Sequence, residues 1–125
     1  MARTILALSA VALATVASAA AAQGEGTPVA AAFGNTIIST YPDGRTARLW
    51  LQSDGTYLGQ GRRGDRSTGR WTLRGEKICL RQTRPRTLPI TFCTPLPSGG
   101  VGAVWTAKAV TGERVRVRLA SGTGA

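Results

Sequence analysis

The sequence contains two cysteines, Cys79 and Cys93, and no histidine. A cysteine can act as a nucleophile, bind a metal ion or form a disulfide, and each role needs different companions. A metal site would need further ligands, and a thiol nucleophile usually needs a histidine as its base. An even number of cysteines without these companions indicates a disulfide, provided that the compartment is oxidising.

The residues around the cysteines support this pairing. If the two flanking segments form an antiparallel hairpin that buries apolar side chains on one face, Leu80 lies opposite Phe92. Cys79 then lies opposite Cys93 on the other face, where the Cα atoms of a non-hydrogen-bonded pair are ~4.5 Å apart. A disulfide tolerates that separation, and one that closes a loop of this length contributes about 3 kcal/mol. We predict a Cys79–Cys93 disulfide on the outward face of the hairpin.

The other arrangements that carry out catalysis are missing from the sequence. Without histidine, the common triads and general acid–base groups cannot form. The acidic residues fall in a terminal arm or in predicted turns, with no pair that suggests a carboxylate dyad, and they are Glu25, Asp43, Asp54, Asp65, Glu76 and Glu113. Nothing marks out a Ser–Lys pair at Lys77 or Lys108. We therefore expect a non-enzymatic protein with no catalytic residues, no metal site and no cofactor.

The elements that position these residues are short strands. No apolar pattern of helical period occurs after residue 34, and alternating segments are separated by turn signals about every 8–12 residues, which favours an all-β fold. Asp43-Gly44 and Asp54-Gly55 are turn signals of this kind. The predicted strands are 35–40, 45–52, 56–62, 68–74, 77–82, 88–94, 101–108 and 114–119. About eight strands with mostly tight connections predict a small antiparallel meander barrel, with a two-sheet β-sandwich as the alternative.

Alternation within these strands also predicts which side chains face the core. The predicted core residues are Ile37, Leu49, Leu51, Tyr57, Trp71, Leu73, Ile78, Leu80, Ile90, Phe92, Val104, Val115, Val117 and Leu119. Two tryptophans, Trp50 and Trp105, could lie either in the core or at a mouth of the barrel. Two glycines, Gly59 and Gly61, predict a bend or bulge in the third strand.

The first 22 residues have the layout of a secretory signal peptide. A basic residue, an apolar run and a tail of small residues precede an A-x-A site, which predicts cleavage after Ala22, with Ala19 as a second possible position. The alternative is a membrane anchor, although the apolar run is short for a membrane span. We expect a periplasmic or secreted protein with no transmembrane segment after cleavage. Residues 23–34 then form a flexible, exposed arm before a single domain over 35–125.

The chain carries a formal net charge of +10. Such a charge attracts polyanions, although it also serves to keep a surface solvated. Several arginines lie on the outward faces of predicted strands or in a loop, and the candidate anion-binding residues are Arg70, Arg74, Arg81, Arg84, Arg86, Arg114, Arg116 and Arg118. An anionic component of the cell envelope is the partner class that these residues suggest. Nucleic acid is not expected as a partner because the protein is exported.

Two resemblances accompany these observations. The run "DGTYLGQGRRGDRSTGRWTLRGEKICL" resembles small exported bacterial β-domain proteins to which no activity is assigned. The segment "GRWTLRGEKICL", together with Cys93, Trp105 and "TGERVRV", is similar to periplasmic inhibitors of secreted metalloproteases. That second resemblance implies an eight-stranded barrel with Cys79–Cys93 as its bridge. It also implies an inhibitory arm that enters the protease cleft, formed by Gln23, Gly24, Glu25, Gly26, Thr27 and Pro28.

Three functions follow as expectations. The first is a binding or structural role in the cell envelope, directed through arginine toward an anionic partner. The second is inhibition of a secreted protease through the N-terminal arm. The third is carriage of a small ligand, which requires an open apolar lumen lined by residues such as Trp50 or Trp105.

Overall fold

The structure is a computed structural model that describes residues 28–124. The predicted signal peptide, 1–22, and residues 23–27 of the predicted arm lie outside the described residues. The described chain is almost entirely β-structure, with one short 3-10 helix, Pro28–Ala32. The strands are β1 (Thr36–Thr40), β2 (Thr46–Leu51), β3 (Thr56–Gln60), β4 (Arg66–Arg74), β5 (Lys77–Arg84), β6 (Thr91–Pro95), β7 (Val104–Lys108) and β8 (Arg114–Ala120).

The eight strands form one antiparallel sheet that curls into a nearly closed barrel. Their order is β6-β5-β4-β3-β2-β1-β8-β7, so strands that are consecutive in sequence pair, except β6 and β7, and β1 also pairs with β8. The two outer strands, β6 and β7, approach each other without forming a ladder. This arrangement confirms the predicted meander barrel, and it leaves a seam between β6 and β7. Within the described residues, no helix is long and apolar enough to cross a membrane.

The hairpin of β5 and β6 has the register that its apolar residues predict. Leu80 pairs with Phe92 and Cys79 pairs with Cys93. The two cysteines form a disulfide across a Cα–Cα distance of 4.0 Å. Cys79 is only 1% exposed although it lies on the outward face, since its strand runs between β4 and β6 and the bridge occupies the space beside it. The predicted disulfide is therefore confirmed.

The tight turns also follow the sequence. Gly44 and Gly55 have φ values of 84° and 90°, a region that glycine adopts without steric cost. The predicted irregularity in β3 is wrong in position, because the register shift lies in β4 between Thr68 and Gly69. Gly69 is required there, since a Cβ atom at this position would lie 2.6 Å from the ring of Tyr57.

The barrel has two different ends. The 3-10 helix covers one of them, which we call the closed end; it comprises residues 28–35, 52–55, 75–76, 96–103 and 121–124. At the other, which we call the open end, no helix covers the barrel within the described residues; it comprises residues 41–45, 61–65, 85–90 and 109–113.

The helix at the closed end is part of the core. Val29 and Ala32 are completely buried, and the ring of Phe33 lies 5.8 Å from that of Trp71. The sequence predicted an exposed arm over 23–34. In the portion that the structure describes, the apolar side chains instead fill the end of the barrel, because the inward side chains of the strands cannot fill it alone.

The buried residues are mostly those that strand alternation predicts, with two corrections. Ile90 is 63% exposed because it precedes β6 in the loop rather than lying within a strand. Val104 is 52% exposed because it pairs with Arg118 on the outward face, which puts Trp105 inward. The core also contains residues outside the predicted strands, among them Leu96 at 3% exposure.

Candidate functional site

The size of the inward side chains changes along the barrel. Toward the closed end they are large, and Leu51, Trp71 and Ile78 are almost completely buried. Toward the open end five strands place a small residue inward, and these residues are Ser39, Ala47, Gly59, Ser67 and Ala107. An eight-stranded barrel is just wide enough to be filled by its side chains or to hold one small ligand. Small residues on five strands therefore leave part of this barrel empty.

The empty part is a cavity of about 380 Å³ inside the barrel, which we call the lumen. All eight strands contribute to its wall, which is mostly apolar and includes Ile37, Leu49, Ile78, Phe92, Trp105 and Val117. Binding sites for small molecules are mostly apolar and have volumes of about 300 to 1,000 Å³. The lumen has this character and lies at the small end of that range. The lumen could hold a small, mainly apolar molecule.

The lumen reaches solvent at the open end. Three of its lining residues are strongly exposed: Leu88 at 72%, Ile90 at 63% and Val110 at 73%. Leu88 and Ile90 belong to the loop before β6, and Val110 belongs to the turn after β7. The mouth therefore lies beside the seam, where the barrel is not closed by a ladder.

Trp105, which lines the lumen, has one polar group without a partner. Its indole Nε1 is buried, and it donates no hydrogen bond among residues 28–124. The indole of Trp71, at the closed end, instead donates to the carbonyl oxygen of Gln52 at 2.7 Å. A buried donor without an acceptor costs about 1–3 kcal/mol, and an acceptor on a ligand would recover this cost once the indole turned its N–H toward the cavity.

The third tryptophan is not part of the lumen. Trp50 lies on the outer face of β2, where its indole donates to the hydroxyl oxygen of Thr36 at 2.9 Å. It contributes to a depression on the outside of the barrel, together with Leu58 and Arg66. Of the two tryptophans that the sequence proposed for a ligand site, Trp105 lines the lumen and Trp50 does not.

Arg62 ties three turns together at the open end. Its guanidinium donates to both carboxylate oxygens of Glu113, at 2.8 and 3.3 Å, and lies 3.5 Å from Asp43. It also lies 4.2 Å above the ring of Tyr41. The hydrogen bonds from Arg62, followed by one from Thr111, hold the pKa of Glu113 below its ordinary value. Because the partners come from the β1–β2, β3–β4 and β7–β8 turns, this cluster holds that side of the mouth in place.

Tyr57 lies across the middle of the lumen wall and is 5% exposed. Burial raises the pKa of its phenol above the ordinary value of 10.0. The phenol therefore stays neutral at physiological pH and adds no charge to the lumen.

The candidate anion-binding arginines lie on separate parts of the exterior. Arg70 pairs with Arg81 across β4 and β5, and Arg74 lies farther along the same face. The second group, Arg114, Arg116 and Arg118, lines the outer face of β8. Two strands and the seam separate these groups, so the barrel does not collect them into one patch. Arg84, at the end of β5, and Arg86, in the following loop, lie beside the mouth of the lumen.

The proposed inhibitory arm is represented only by its last residue. Pro28 begins the 3-10 helix, and Gln23, Gly24, Glu25, Gly26 and Thr27 lie outside the described residues. Over residues 28–124, no group of three histidine, cysteine or acidic side chains is placed to hold a metal ion.

The sequence raised an open lumen as one alternative and did not identify the residues that leave it open, although a signal was present. Alternation assigns Ser39, Ala47 and Ala107 to inward positions, and their small volume indicates space where these strands come together.

Comparison of the chain with family models, with curated proteins and with solved structures finds no match.

Proposed function

We propose that this protein is a non-enzymatic binding protein that carries one small, mainly apolar molecule in its lumen. The observation that supports this most directly is an apolar cavity of about 380 Å³ that reaches solvent at one end of a disulfide-bonded barrel. Removing apolar surface of a ligand from water supplies roughly 25 cal/mol per Å² before the costs of association are subtracted.

The chemistry of the wall restricts the ligand. The lining is mainly apolar, with a few polar groups such as Ser39 and Gln82, and it contains one buried indole N–H without an acceptor. A ligand with an apolar body and one hydrogen-bond acceptor, such as a hydroxyl or carbonyl oxygen, would fill the lumen and, with the indole turned toward the cavity, satisfy Trp105. The two cations of the lining, Arg48 and Lys108, are not buried, so a charged group deep in the lumen would lose its hydration without a counter-ion.

The first test fills the lumen. Ala107 points inward and Thr106, its neighbour on β7, points outward, so Ala107→Phe and Thr106→Phe form a matched pair. Binding is measured by the fluorescence of a neutral naphthylamine dye, which avoids attraction to the basic exterior. We expect Ala107→Phe to weaken dye binding at least about tenfold and Thr106→Phe to leave it unchanged. Equal binding by the wild type and Ala107→Phe would contradict the proposal.

A second variant tests the acceptor. Trp105→Phe keeps an aromatic wall and removes the N–H donor. In displacement of the dye, we expect this change to weaken 1-decanol roughly threefold to tenfold, the worth of one hydrogen bond. The affinity for decane, which has no acceptor, should stay the same. If both ligands lost affinity to the same extent, Trp105 would contribute only apolar surface.

A further inference from the structure

We propose that the open end of the barrel docks on an anionic lipid surface. The contact would be made by Leu88, Ile90 and Val110, which we call the docking rim. These three side chains are the most exposed large apolar residues of the described chain, at 72%, 63% and 73% exposure. Apolar side chains scattered singly need no explanation, but these three border one opening.

Positive charge surrounds the docking rim. With the strand residues that flank it, the open end contains eight basic residues and three acidic ones. The basic residues are Arg45, Arg62, Arg63, Arg66, Arg84, Arg86, Lys108 and Arg114, and the acidic ones are Asp43, Asp65 and Glu113. Two of the acidic side chains, Asp43 and Glu113, pair with Arg62, which reduces their repulsion of an anionic surface.

The closed end provides the internal comparison. With its flanking strand residues it contains two basic residues, Arg74 and Lys77, and two acidic ones, Asp54 and Glu76. Its apolar residues are mostly buried, although Val101 and Val104 are about half exposed. Over residues 28–124, positive charge and exposed apolar tips therefore coincide only at the open end.

This combination fits a lipid surface better than an acidic polymer or protein. A bilayer with anionic headgroups offers negative charge at the interface and apolar chains just beneath it. An acidic polymer would satisfy the arginines and leave Leu88, Ile90 and Val110 in water. The lumen opens within the same rim, so docking would place its mouth against the acyl chains.

Flotation of the purified protein with vesicles tests this inference. One set of vesicles is phosphatidylcholine alone, and the other contains about 30% phosphatidylglycerol. The test variant is Leu88→Ser/Ile90→Ser/Val110→Ser, and the matched control is Val101→Ser/Val104→Ser at the closed end. We expect the wild type and the control to bind the anionic vesicles and the rim variant to bind at least about tenfold more weakly. High salt should weaken binding, and neutral vesicles should bind poorly.

Three outcomes would overturn the inference. They are equal loss of binding in the rim and control variants, equal binding to neutral and anionic vesicles, and retention of full binding by the rim variant. In the last case, binding to an acidic polymer would identify charge alone as the cause. Circular dichroism checks that each variant is folded. Flotation of the Ala107→Phe variant separates this inference from the proposed function, because a barrel whose lumen is filled can still dock through its exposed rim.

Discussion

The two ends of the barrel are built on the same strands and differ in what fills them. At the closed end, large inward side chains meet a helix whose Val29 and Ala32 are completely buried. At the open end, small inward residues such as Ser39 and Ala47 surround a cavity, and apolar side chains reach solvent. Packing at one end supplies stability, and space at the other supports the proposed binding of a ligand.

The difference shows how a small barrel can hold a cavity and still fold. Interiors are normally packed to the density of organic crystals, so an empty volume forfeits contacts that must be compensated elsewhere. Here the compensation is local and identifiable. The helix and Trp71 complete the core at one end, while Arg62 joins the turns at the other. The disulfide holds β6, which pairs with a single neighbouring strand.

The largest effect should distinguish two tryptophans. Trp71 is 1% exposed and hydrogen-bonded, whereas Trp105 lines the lumen and has an unpaired donor. We expect Trp71→Ala to lower the free energy of unfolding by about 4 kcal/mol and Trp105→Ala by roughly half as much. Urea denaturation measures both values. Equal losses would mean that the two halves are equally well packed, which would remove the basis of the comparison.

The next effect concerns β6, one of the two strands that border the seam. The disulfide closes a loop with a sequence separation of 14, for which the chain-entropy model gives about 3 kcal/mol. We expect the Cys79→Ala/Cys93→Ala variant to lose about that much stability. The wild type in a reducing agent should match the variant, and the variant itself should not respond to the reagent. A loss below about 1 kcal/mol would show that β6 is held chiefly by its ladder with β5.

The strands and their register could be predicted because the information is local. Alternation with a period of two identifies the inward side chains, and a shift of one residue would turn them all outward. For this reason the pairing of Cys79 with Cys93 follows from the pairing of Leu80 with Phe92. The Asp-Gly turns at Gly44 and Gly55 are local signals of the same kind.

The features that could not be predicted depend on contacts between distant segments. The short segment Pro28–Ala32 has no periodicity, and its burial depends on an opening that only the assembled barrel creates. The exposure of Ile90 has a similar origin, because the loop before β6 is longer than alternation suggests. The lumen arises where the small inward residues of five strands come together, although each of these residues is visible in the sequence.

The smallest effect tests the cluster at the open end through pH. Since the pKa of Glu113 is lowered in the folded protein, its contribution to stability is complete above its ordinary value of 4.5. That contribution is lost as the pH falls through the lowered value, because protonation removes the acceptor of Arg62. Glu113→Gln should therefore lose a small amount of stability near neutral pH, and its difference from the wild type should shrink in acid.

Thermal unfolding at pH 6 and at pH 3 measures this difference. Glu76→Gln, in the turn between β4 and β5 at the closed end, is the matched control, since no ion pair of Glu76 is found within residues 28–124. We expect the control to follow the wild type at both pH values. If the difference between Glu113→Gln and the wild type stayed constant with pH, the charge of Glu113 would not be what stabilises its contact with Arg62. In that case the mouth would stay assembled in acid, and the two ends would differ in packing alone.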